Sequence, residues 1–132
     1  KGDKTFIKKS DKSVITLGPP ESMSKSKKNT IDPEIMIEKF GADAVRWFIL
    51  SDSPPEKDIQ WSNQGVNAAY KFLQKIFNLM HNIKNRKNED GKDDTSFNLE
   101  IENYIFKITN CINSFQLNVA VASIYEIFNF FN

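Results

Sequence analysis

The stretch after Ser62 constrains the fold most. Its apolar residues Val66, Ala69, Tyr70, Leu73, Ile76, Phe77, Met80 and Ile83 recur at spacings of three and four. Only an α-helix gathers such a set on one face, so this stripe predicts a long amphipathic helix that packs against others. Ser62 supplies a hydroxyl where an N-cap is required. Two more stripes follow. Ile101, Tyr104, Ile105, Ile108, Ile112 and Phe115 define one helix, and Leu117, Ala120, Val121, Ile124, Phe128 and Phe131 define another, with Asn118 as its expected N-cap. Between the long helix and these two, the run 86–94 has mixed charge and no apolar residue, which predicts a solvated connection. The last stripe is still strongly apolar at its end, so the bundle is expected to be a portion of a larger polypeptide.

Upstream, Thr5-Phe6-Ile7 and Val14-Ile15-Thr16-Leu17 are β-branched and aromatic runs around a polar spacer, as in a small hairpin. Gly18-Pro19-Pro20 ends the second run because proline donates no ladder hydrogen bond. Asp32-Pro33-Glu34 is a helix start, with an N-cap acceptor, proline at the first helical position and an acid in the first turn. That helix is expected to end near Lys39 or Phe40, with Gly41 at C′. Asp43 is the expected cap of a second helix through about Leu50, with Val45, Phe48 and Ile49 on one face. A turn at Ser53-Pro54-Pro55 leads on to Ser62. The fold class is therefore mainly α: a β hairpin and a loop, then helices entering a bundle.

The 132 residues suffice for one modest domain or two small pieces. Eighteen basic against 17 acidic side chains give a net charge of +1, so any contact with RNA must be local rather than driven by a global field. A single cysteine, Cys111, excludes an internal disulfide framework and agrees with a reducing compartment. No apolar run reaches the roughly 18 residues of a membrane span, and Lys1-Gly2-Asp3-Lys4 lacks the apolar core of a signal peptide. A soluble, cytoplasmic protein without membrane contact is expected.

Between hairpin and helices, Glu21-Ser22-Met23-Ser24-Lys25-Ser26-Lys27-Lys28-Asn29 concentrates hydroxyls and ammonium groups around one methionine. Lysine meets phosphate as a compact cation on a flexible stem, and hydroxyls with backbone N–H groups complete a cradle. A P-loop is excluded: counted from Gly18, its second glycine falls on Met23 and its lysine on Ser24. The plainest alternative is a solvated serine- and lysine-rich turn.

The continuation argues against that alternative. With Thr30-Ile31-Asp32-Pro33-Glu34 and Phe40-Gly41-Ala42-Asp43-Ala44-Val45-Arg46 behind it, the loop resembles the signature of class I aminoacyl-tRNA synthetases. That signature reads Lys-Met-Ser-Lys-Ser; here it reads Ser22-Met23-Ser24-Lys25-Ser26, matching at every position but the first. The segment Ser53-Pro54-Pro55-Glu56 through Trp61-Ser62, with Gly65-Val66 and Tyr70-Lys71-Phe72-Leu73, looks most like the bacterial-type leucyl branch of the class; the valyl and isoleucyl branches share only the loop and the Gly-Ala-Asp-Ala segment. The resemblance implies ATP and Mg2+ as cofactors of the parent enzyme, and tRNA, leucine and the remainder of the catalytic domain as partners. It implies Lys25 as the catalytic cation, Ser22, Met23, Ser24, Lys25 and Ser26 as ATP-binding residues, Lys27, Lys28 and Asn29 as loop support, and no metal ligand. Residues 1–60 would then end a catalytic domain, and residues 61–132 would begin an anticodon-binding helical bundle. The competing readings are a non-catalytic RNA- or protein-binding helical module and a valyl/isoleucyl-type synthetase.

The remaining conspicuous residues have structural readings. Trp61 is expected to pack the junction into the bundle, Cys111 to serve as a small apolar residue, and His81 to play no metal or acid–base role. Arg46 reads as a helix-surface cation or as a buried organiser paired with an acid such as Asp32 or Asp43, the organiser being the expectation, and Lys71 and Lys75 are expected to be solvated helix charges.

Overall fold

The computed structural model describes residues 6–15, 18–85 and 95–131. The chain falls into two compact units, one ending at Ile31 and the other starting at Asp32. The first holds strands β1 (Phe6–Ile7) and β2 (Val14–Ile15), antiparallel with Phe6 opposite Ile15 and Ile7 opposite Val14. Asp11 shapes the connection by accepting from the Ser13 hydroxyl at 2.6 Å and the Ser13 backbone N–H at 3.0 Å. Lys12 adopts the left-handed φ of 60°. The expected strand residues Thr5, Thr16 and Leu17 lie outside the described residues, as does the 86–94 connection.

The second unit contains helices α1 (Pro33–Phe40), α2 (Ala42–Asp52), α3 (Asn63–Asn85), α4 (Thr95–Asn113) and α5 (Leu117–Phe130). The molecule is mainly α, as expected. The Asp32 carboxylate accepts from the Glu34 N–H at 2.9 Å, Pro33 opens α1, and Gly41 closes it at φ 82°. The Ser62 hydroxyl likewise caps α3 by accepting from the Gly65 N–H at 3.1 Å. Two expected caps are corrected. Asp43 sits inside the first turn of α2 behind Gly41, and Asn118 sits inside α5 behind Gln116. The chain reverses between α4 and α5 at Phe115, whose φ of 56° and exposed ring take it out of the predicted stripe.

Helix α2 packs against α1, α3 and α5; α1 also touches α3, and α4 packs on α5. Buried Phe48, Val66 and Ala69 form one core, flanked by Phe40, Val45, Trp47 and Trp61. Trp61 thus packs at the foot of α3, its ring 5.4 Å from that of Phe48. An aromatic cluster ties α2, α3 and α5 together: the Phe72 ring lies 5.5 Å from Trp47, 3.8 Å from Tyr125 and 5.2 Å from Phe128. The Trp47 indole N–H donates to the Tyr125 hydroxyl at 3.2 Å. Cys111 is buried with Ala120 and Val121, in the apolar role expected of it. The α3 stripe divides: Val66 and Ala69 are buried, whereas Phe77 and Met80 are 72% and 66% exposed. No helix among the described residues is long and apolar enough to cross a membrane.

Candidate functional site

The loop from Gly18 to Ile31 has no regular secondary structure, so its shape rests on turns and side chains. Asn29 closes it. Its Oδ1 accepts from the Ser24 N–H at 2.8 Å, and its Nδ2 donates to the Ser22 carbonyl at 3.3 Å. Both faces of one amide are thereby spent on the backbone on either side of Met23. Within this closure the Lys28 N–H donates to the Lys25 carbonyl at 3.2 Å, making a turn over residues 25–28. The Ser24 hydroxyl supports the turn by accepting from the Lys27 N–H at 3.2 Å, and it lies 3.1 Å from the Ser26 hydroxyl.

The eight candidate residues are thus brought together, in distinct roles. Ser22 and Ser24 contribute backbone groups to the Asn29 clamp, and Ser24 also spends its hydroxyl inside the loop. Met23 is about half exposed, available as an apolar contact. Lys27 Nζ lies 2.8 Å from Glu21 Oε2. Among the described residues, Lys25 and Lys28 pair with no carboxylate. The sequence reading did not give Glu21 a role in holding Lys27. An acid just ahead of a lysine-rich turn is the signal that could have found that pair.

Arg46 departs from expectation. It reaches Asp43 at 3.2 Å, but the two side chains are 75% and 83% exposed, so the pair decorates the surface of α2. Separately, Met36, Lys39 and Phe40 of α1 and Asn63, Gln64 and Asn67 of α3 line an open cleft of about 370 Å³, which shares no residue with the loop.

The loop thus carries two ammonium groups with no carboxylate partner among the described residues, together with hydroxyls and a methionine, a set whose chemistry suits an anionic group. Residues 8–62, from the hairpin to the foot of α3, match the family model of tRNA synthetases class I (I, L, M and V). The likeness to proteins of that family continues along most of the chain. Within it, the similarity is to leucine–tRNA ligases. The chain is 42% identical over 121 residues to that of Orientia tsutsugamushi (strain Boryong), covering 92% of this chain and 14% of that protein. It is 44% identical over 128 residues to that of Neorickettsia sennetsu, covering 96% of this chain and 15% of that protein. Its fold is similar to that of the Agrobacterium radiobacter K84 LeuRS crystallised in a ternary complex with tRNA and LeuAMS, with a TM-score of 0.71 at 26% identity, over 81% of this chain and 15% of that one. The chain therefore spans about one seventh of the length of the curated relatives it matches.

Proposed function

We propose that the chain forms the signature-loop and first-bundle portion of a leucine–tRNA ligase, which activates leucine with ATP and esterifies it to tRNA(Leu). The observation that carries this reading is the signature match at residues 22–26, held in a clamped loop on a chain similar to leucine–tRNA ligases along almost its entire length. On this reading residues 1–60 close the catalytic domain, and residues 61–132 open the tRNA-binding bundle. The remainder of the catalytic domain supplies the leucine pocket, and the enzyme works in the cytoplasm.

The chemical difficulty lies in charge. The leucine carboxylate must attack the α-phosphorus of ATP while negative charge grows on the departing pyrophosphate. A cation that meets the phosphates as that charge develops lowers the barrier without over-stabilising bound ATP. Lys25 fits this task because it opens a turn and pairs with no carboxylate among the described residues. Met23 seats the loop against the nucleotide, and Ser26 offers a hydroxyl beside the phosphates. Loop closure would commit the substrate and exclude water.

Magnesium is the usual companion of a reacting nucleotide. The loop itself offers no ligand set for it: Glu21 is the sole carboxylate between Gly18 and Ile31, and it is engaged by Lys27. No step is therefore assigned to a metal held by these residues.

Leucine-dependent exchange of pyrophosphate into ATP, measured on the full-length protein that carries this chain, tests the reading. Lys25→Ala is expected to lower kcat for adenylate formation by about 100- to 1000-fold, the usual effect of removing one preorganised electrostatic donor. Absence of leucine-dependent exchange in the unmodified protein would overturn the ligase reading. Exchange that survives Lys25→Ala intact would reduce Lys25 to a surface charge.

A further inference from the structure

The loop departs from the signature at Ser22, where the first lysine is missing. Two ammonium groups immediately downstream could replace the lost charge, and the structure separates them. Lys27 Nζ lies 2.8 Å from Glu21 Oε2. The pair is about half exposed, so it is a weak bond. Its consequence is local neutralisation, since a phosphate drawn toward Lys27 also meets the Glu21 carboxylate. Lys28 has no such counter-charge among the described residues.

Position separates them as well. Lys25 and Lys28 are the first and last residues of one turn, closed by the 3.2 Å hydrogen bond from the Lys28 N–H to the Lys25 carbonyl. The ends of such a turn lie within about 7 Å of each other at Cα, close enough for two flexible ammonium groups to meet neighbouring phosphates of one triphosphate. The Asn29 clamp fixes the backbone next to Lys28, and the Ser24 hydroxyl holds the turn from within. Lys28 occupies the left-handed region at φ 51°, where glycine would be at ease. Lys12 at the hairpin tip does the same, so the argument rests on the turn and on charge rather than on strain.

We propose that Lys28, rather than Lys27, supplies the second cation to the ATP phosphates in place of the lysine absent at Ser22, an assignment that rests on the ligase reading above. The expected chemistry is binding of anionic oxygen by paired lysines from the two ends of one turn.

Steady-state pyrophosphate exchange with varied ATP, on the full-length protein, tests this. Lys28→Ala is expected to raise KM for ATP or depress kcat/KM about tenfold, the usual scale for one charge-assisted contact. Lys27→Ala should have a clearly smaller effect. Lys28→Gly separates charge from conformation: it relieves the left-handed backbone but removes the ammonium, so it should be as impaired as Lys28→Ala, while Lys28→Arg retains most activity. The rise of KM for ATP with added KCl should be shallower in Lys28→Ala than in the unmodified enzyme. Lys28→Gly behaving like the unmodified enzyme, or Lys27→Ala matching or exceeding the loss in Lys28→Ala, overturns the assignment. An unmodified enzyme without leucine-dependent exchange sinks the ligase reading itself; exchange that Lys28→Ala leaves intact sinks only the Lys28 assignment.

Discussion

Gly65 in the first turns of α3 lies against the ring of Phe48 on α2, so closely that a β-carbon at position 65 would stand 2.5 Å from Cε2 and 2.8 Å from Cδ2. The glycine is required by the approach of two helices. Phe48 is almost fully buried, with the Trp61 ring 5.4 Å away, so its ring has little room to yield.

Gly65→Ala therefore sets two effects against each other. Alanine is the better helix former by about 1 kcal/mol, while overpacking a core costs roughly 1–3 kcal/mol. The clash should prevail, because it falls on a buried ring. Urea unfolding followed by circular dichroism should show net destabilisation; an increase in stability would mean that Phe48 rotates away freely.

Phe72 is the second packing determinant, its ring lying among those of Trp47, Tyr125 and Phe128. Truncation to alanine leaves a void bordered by three helices. Phe72→Ala should cost about 3–5 kcal/mol, a large share of the roughly 5–15 kcal/mol that holds a domain together. Phe77→Ala, at a 72% exposed position of the same helix, should cost much less. Equal losses in the two variants would contradict the packing described.

That contrast shows what the sequence could and could not convey. The starts of α1 and α3 were legible because a cap is a local device: Asp32 and Ser62 each bond an N–H two or three residues ahead. Asn118 misled because the left-handed turn at Phe115 lets α5 begin one residue before it. Periodicity gave the length of α3 but not which part of its stripe finds partners. Phe72 was missed: the predicted stripe runs through Leu73, although Phe72 stands three residues after Ala69 and four before Ile76 and is the residue that becomes buried. Only the approach of α5 made it central. In the loop, the residue types were the basis for expecting phosphate contact. The pairing of Glu21 with Lys27 and the double use of the Asn29 amide depend on a folded turn that no spacing rule encodes.

The hairpin carries a pH-sensitive contact. Asp11 accepts from the Ser13 hydroxyl and N–H and meets Lys8 Nζ at 3.2 Å, and these partners, the Ser13 hydroxyl first, hold its carboxyl below the ordinary value of 3.8. A lowered folded pKa means that the contribution is present above 3.8 and is lost as pH falls through the folded value. An NMR titration should find the Asp11 carboxyl midpoint below 3.8, and Ser13→Ala should move it upward. A midpoint at or above 3.8 in the unmodified protein would remove the contact from solution.

Asn29 bears on function through shape alone. Its Oδ1 fixes the Ser24 N–H, the residue before Lys25, while its Nδ2 fixes the Ser22 carbonyl. Asn29→Ala releases both ends and leaves the lysines to search a wider space. Asn29→Asp keeps the acceptor, loses the donor, and adds a carboxylate beside the proposed phosphate site. The expected order of kcat/KM for ATP in the full-length protein is thus unmodified, then Asn29→Ala, then Asn29→Asp, with the alanine step about tenfold, as for loss of one or two positioning hydrogen bonds. A clamp also predicts how the loss divides. Asn29→Ala should lower kcat more than it raises KM for ATP, since a misplaced cation still attracts phosphate but no longer meets the developing charge. Pyrophosphate exchange across a range of ATP concentrations reads both quantities, and an Asn29→Ala enzyme within about twofold of the unmodified one in each would show that the loop holds its shape without the amide.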